Sequence, residues 1–100
     1  MGLATVRPRI ELSLYVNPAS VACLRVQGEI EAVLDRYDRD HILFEVLDIR
    51  QHIERAEQDR VLFTPTLVKR CPAPPAWLVG DAGGHLVGTL LASCGVKKTR

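Results

Sequence analysis

Apolar and polar residues alternate from Ile10 to Leu14 and then run apolar through Tyr15 and Val16, the period-two pattern of a strand entering a core. Asn17-Pro18 ends it. Asn at a helix cap with proline at the first helical position predicts a helix beginning there, because proline leaves no N–H orphaned and its φ is already helical. Cys23, Val26, Ile30, Val33 and Tyr37 follow at steps of three and four and predict its buried stripe, whereas Arg25, Glu29, Glu31, Asp35 and Arg36 fall largely elsewhere on the wheel. Ile42 to Leu47 is short, nearly continuous in apolarity and partly β-branched, which predicts a second strand covered on both faces and parallel to the first. Together these segments form a right-handed βαβ unit.

Asp48 with Gln51 three residues on has the spacing of a capping box, and Ile49, Ile53 and Ala56 share a helical face. A short second helix ending near Arg60 is expected. Thr64 to Arg70 reads as a third strand headed by Pro65, where no ladder N–H is required. Cys71-Pro72-Ala73-Pro74-Pro75 is a connector, and Ala76 to Gly80 is a fourth strand, antiparallel to the third and followed by an Asp81-Ala82-Gly83-Gly84 turn. Leu86, Val87, Leu90, Leu91 and Cys94 return to helical spacing, with Gly95 as the cap. Gly88 should weaken that last helix by about 1 kcal/mol relative to Ala. The chain of 100 residues has the length of one domain: a flexible N-terminus over 1–9, a folded domain over 10–95 and a basic tail over 96–100. The order, βαβ followed by αββα, is that of a thioredoxin-like α/β domain.

Composition narrows the function more by exclusion than by assignment. With 47% apolar and 25% charged residues the chain is globular, and a net charge of +1 gives no electrostatic case for nucleic acid or an anionic membrane as partner. Three cysteines are too few for the framework of a small secreted domain. The start lacks a signal-peptide core and no run approaches a membrane span, so a cytoplasmic protein is expected. On this fold a thiol oxidoreductase needs its nucleophile at the N-terminus of the first helix, where the dipole lowers the thiol pKa. Asn17-Pro18-Ala19-Ser20 stands there instead, Cys23 lies on the buried stripe, and Cys71 is a loop thiol beside Lys69 and Arg70. A redox protein using Cys71 or Cys23 is the alternative function. His41, His52 and His85 lack metal-ligand spacing, Asp35, Asp38 and Asp40 alternate with arginines as a solvated turn does, and the glycines at 80–84 lack the Lys-Ser/Thr ending of a phosphate loop. The expectation is therefore a protein without catalytic residues, metal or cofactor.

Leu14-Tyr15-Val16, Asp48-Ile49, and above all Thr64-Pro65-Thr66-Leu67-Val68-Lys69, Pro72-x-Pro74-Pro75 and Gly80-Asp81 carry a resemblance to the KaiB family of the bacterial circadian clock. The resemblance runs unbroken from Asp48 to Asp81. It implies a non-enzymatic interaction module that binds a KaiC-type ATPase, with a homo-oligomer as a further form. It also implies two folds of one chain, a tetrameric ground state and a thioredoxin-like monomer, with the second half rearranged between them. On that reading Pro65, Pro72, Pro74 and Pro75 are the switch positions, and Arg60 and Lys69, which keep the family's basic character, are the partner contacts. In the thioredoxin-like form, Ala76 to Gly80 should be a strand and Leu86 to Ala92 a helix. The chain differs from the family pattern in a shortened connection at Asn17–Ser20, in Ala22, in Ala76-Trp77 where the family has a basic pair, and in a basic rather than acidic tail.

Overall fold

The computed structural model describes residues 10–80, 83–96 and 98. The expected flexible N-terminus over 1–9, and Asp81, Ala82, Lys97, Thr99 and Arg100, lie outside the described residues. In chain order the elements are β1 (Ile10–Val16), α1 (Val21–Leu34), a 3-10 turn (Arg39–His41), β2 (Ile42–Asp48), α2 (Ile53–Gln58), β3 (Thr66–Cys71), β4 (Ala76–Val79) and α3 (Gly83–Ser93). The strands form one sheet in the order β2-β1-β3-β4, with β1 parallel to β2 and antiparallel to β3, and β3 antiparallel to β4. This is the thioredoxin-like arrangement, including the strand over Ala76–Val79 and the helix over Leu86–Ala92.

Strand alternation sorts the side chains onto two faces. Ile10, Leu12, Leu14 and Val16 of β1, Ile42 of β2 and Leu67 of β3 pack beneath α1 and α3, against Cys23, Val26, Ile30, Leu34, Val87 and Leu91. The opposite face holds a smaller cluster of Tyr15, Leu47, Ala56, Val61 and Val68 under α2. Glycine permits the close crossing of α3 on α1: a Cβ on Gly84 would stand 2.6 Å from Val33 Cγ2, while one on Gly88 would meet only the Tyr37 hydroxyl at 3.5 Å.

Several local expectations are corrected. Asn17 does not cap α1; its side chain accepts from the Ala19 N–H at 3.0 Å in a turn, and Ser20 is the cap, accepting from the Cys23 N–H at 3.3 Å. The Asn-Pro pair satisfies its own backbone locally, so the helix starts at Val21. Leu34, rather than Val33, continues the buried stripe. The capping box at Asp48 does not form, because its carboxylate accepts from the Arg50 N–H at 2.9 Å and pairs with the Arg50 side chain; α2 starts later, with His52 at its cap and Ile53 exposed. β2 is parallel to β1 as expected but lies at the sheet edge with Leu43 exposed, so its apolarity does not reflect cover on both faces. In α3, Val87 and Leu91 face the core and Leu86 is exposed. Within the expected tail, Lys98 forms an isolated antiparallel bridge with Tyr37.

The two glycines of α3 should respond oppositely to alanine. Gly88→Ala gains helix propensity with ordinary contact and should stabilise by up to about 1 kcal/mol. Gly84→Ala forces Val33 aside and should destabilise by about 1 to 2 kcal/mol. Denaturant midpoints of the two variants check this.

Candidate functional site

The α2 face of the sheet carries the polar chemistry. Tyr15, fully buried one residue before the end of β1, donates its hydroxyl to Asp59 Oδ2 at 2.5 Å. Arg70 of β3 pairs with the same carboxylate oxygen and donates to the Tyr15 oxygen at 3.2 Å. The Trp77 indole N–H of β4 donates to the Asp59 carbonyl at 2.7 Å. Asp59 follows the last helical residue of α2, so one residue ties that helix end to β1, β3 and β4. Burial first, and then the Asp59 hydrogen bond, raise the Tyr15 pKa above the ordinary phenol value, keeping the hydroxyl a donor. Arg70 Nε is buried without a hydrogen-bond partner among the described residues.

A second network lies toward β2. Glu45 accepts from Ser13 Oγ at 2.7 Å and pairs with Arg55 Nη2 of α2 at 2.6 Å. The Arg55 hydrogen bond holds the Glu45 carboxyl below its ordinary pKa. Both networks place ion pairs on the α2 face of the sheet, beside its apolar cluster.

Arg60 follows Asp59 with φ at +59° and is exposed. Beyond it the chain leaves Leu62 84% and Phe63 67% exposed, beside Trp77 at 39% and Val79 at 59% on β4. These side chains and Arg60 border a cleft of about 220 Å³. On the other side of Trp77 a second cleft is lined by Asp59, Arg60, Arg70 and Pro75.

The residues singled out in the sequence are not brought together as a set. Lys69 is only 6% exposed, and by alternation it shares the α1/α3 face with Leu67, on the side of the sheet away from Arg60. The two basic residues therefore do not form one patch in this fold. Pro65 is buried before β3, Pro72 is half-buried, and Pro74 and Pro75 are exposed in the β3–β4 connector. The bonds preceding Pro65, Pro72 and Pro74 are cis. Cys23 is 1% exposed, with Sγ 3.5 Å from the Asn17 nitrogen; Cys71 and Cys94 are half-buried, and all three are free thiols. Among the described residues no three His, Cys, Asp or Glu side chains group to hold a metal ion, and no helix is long and apolar enough to cross a membrane. Sequence reasoning missed Tyr15, Asp59, Arg70 and Trp77 as a unit, since nothing in their spacing connects them. Leu62-Phe63 carried a signal, being an apolar pair directly after a helix and outside any periodic segment.

Fold and site define a thioredoxin-like domain whose first helix is preceded by the turn Asn17-Pro18-Ala19 and capped by Ser20, with no cysteine in that entry. The fold matches that of the thioredoxin Deadhead of Drosophila melanogaster, at TM-score 0.74 and 16% identity over 86% of this chain and 81% of that one. It equally matches the N-terminal domain of SasA from Synechococcus elongatus, at TM-score 0.74 and 20% identity over 91% and 88%. The family profile described as KaiB domain matches residues 13–87, and the "Circadian clock protein KaiB3" of Synechocystis sp. (strain ATCC 27184 / PCC 6803 / Kazusa) is 32% identical over 73 residues, 73% of this chain and 72% of that protein. The chain belongs to the KaiB family.

Two substitutions should rank the contacts around Asp59. Tyr15→Phe removes the hydroxyl and with it the bonds to Asp59 and from Arg70, while leaving the Asp59–Arg70 pair intact, and should cost about 1 to 2 kcal/mol. Asp59→Ala leaves the Arg70 guanidinium unpaired and partly buried and should cost about 2 to 3 kcal/mol. Urea midpoints at neutral pH give the order. Glu45 predicts a pH dependence: its folded pKa lies below the unfolded value, so its contribution is present above the ordinary glutamate range and is lost as pH falls through the folded pKa. The pair is more than a third exposed, so that contribution is at most about 1 kcal/mol. Glu45→Gln should lower stability at neutral pH and flatten the decline between about pH 5 and pH 3.

Proposed function

We propose that this protein is a non-enzymatic, cytoplasmic interaction module that docks on a KaiC-type ATPase and alters its output in circadian or related signalling. The observation that carries the reading is the exposed surface formed by Arg60, Leu62, Phe63, Trp77 and Val79 on a KaiB-family chain. Large apolar side chains clustered at a surface mark an interaction site, and the Asp59 network holds this one against the sheet from behind. Arg60 is the accessible member of the two basic residues and supplies the partner contact; Lys69 enters only if β3 is uncovered. The family resemblance further supports a rearrangement of the second half of the chain, with Pro65, Pro72, Pro74 and Pro75 leading into the segment that moves. No observation favours the thiol reading over this one: the cysteine nearest the start of α1 is buried beneath it.

Titration of a KaiC-type ATPase hexamer with the parent and with Arg60→Glu at moderate salt tests the contact. Charge reversal at an exposed interfacial arginine should weaken association by at least about tenfold, with the denaturant midpoint nearly unchanged. Equal affinity removes Arg60 from the interface, and no association of the parent removes the reading. Insulin reduction that is abolished by Cys71→Ser would replace it with the redox function. A second set of backbone chemical shifts in the free protein, with helix over 76–80 and strand over 86–92, is the result expected of the rearrangement; a single set with the present elements under all conditions, bound or free, would remove it.

A further inference from the structure

β4 is an outer strand with no neighbour on its far side among the described residues. The Gly80 N–H donates inward to the Pro65 carbonyl at 2.8 Å. Backbone alternation therefore turns the polar groups of Leu78 inward as well, and those of Trp77 and Val79 outward. Four backbone hydrogen-bonding groups thus face away from the sheet at the same two residues whose side chains stand over the apolar cleft. Native edge strands are commonly blunted by charge, proline or a bulge. β4 reads Ala76-Trp77-Leu78-Val79 and has none of these.

Charge selects the occupant. Arg60 is the charged residue bordering the cleft, and among the described residues it forms no ion pair. The adjacent carboxylate, Asp59, is engaged by Tyr15 and Arg70. A second copy pairing through β4 would bring a strand with no carboxylate and leave Arg60 unmatched. We propose that the outer edge of β4 and Arg60 together bind an extended segment of the partner protein, added to the sheet as a fifth strand, with alternate apolar side chains in the cleft and an Asp or Glu at Arg60. Main-chain pairing supplies affinity in such a mode, and the side-chain pockets supply selectivity. This rests on the partner-binding reading above and gives it a place and a geometry.

Val79→Pro removes an outward N–H and leaves the inward ladder to β3 intact; Val79→Ala trims the side chain and keeps the N–H. Both are titrated against the KaiC-type ATPase hexamer, and amide hydrogen exchange of the parent is followed with and without it. The expected result is at least about tenfold weaker binding for Val79→Pro, a smaller loss for Val79→Ala, and new protection of the Trp77 and Val79 amides on binding. Parent binding that is unchanged by Val79→Pro, with those amides unprotected, overturns edge docking and leaves the partner reading standing. Absence of parent binding overturns both. If Val79→Pro instead abolishes self-association of the free protein, a second copy occupies the edge and the proposal fails. Should Val79→Pro not fold, protection of the two amides in the parent decides alone.

Discussion

The architecture depends on β1 being covered on every side. It has strand neighbours on both edges, helices α1 and α3 over one face and α2 over the other, and its residues from Leu12 to Val16 are all buried. A strand in that position must satisfy its backbone through two ladders and offer each layer a matching set of side chains. Toward α1 and α3 the match is apolar, through Leu12, Leu14 and Val16. Toward α2 it includes a hydroxyl at Ser13 and a phenol at Tyr15, and those two groups organise the polar contacts of that face.

A six-residue helix buries too little apolar surface to be held by packing alone, and α2 buries only Ala56. Polar contacts supply what is missing. Glu45 with Arg55 holds one side of the helix and Asp59 with Tyr15, Arg70 and Trp77 holds its end. Partly buried pairs of this kind contribute less by attraction than by the cost of removing one member. They therefore specify where α2 ends, and with it where Arg60, Leu62 and Phe63 emerge.

The likeness to thioredoxins is one of chain path. Where redox action would require a thiolate at the head of α1, this chain has a self-satisfied Asn-Pro turn and a serine cap. The exposed apolar residues lie elsewhere, after α2 and along β4, next to an open strand edge. On that side the scaffold presents exposed apolar side chains and the outer edge of β4.

The order of strands and helices, the parallel β1–β2 pair, the β3–β4 hairpin and the helical last segment were legible in the sequence, because periodicity and turn residues report local backbone preference. Family membership was legible for a related reason: Thr64 to Lys69 and the prolines that follow form a continuous local signature. Cap positions were less so, since Asn17 and Asp48 could bond either a helix N–H or a nearer turn N–H, and the nearer bond won. Only the tertiary structure decided that Lys69 is covered while Arg60 is exposed, that β2 and β4 are the sheet edges, and that Tyr15, Asp59, Arg70 and Trp77 meet. Those outcomes rest on which strands become neighbours and on contacts between residues as far as 55 positions apart in the chain, and no local pattern of apolar and polar residues encodes such a pairing.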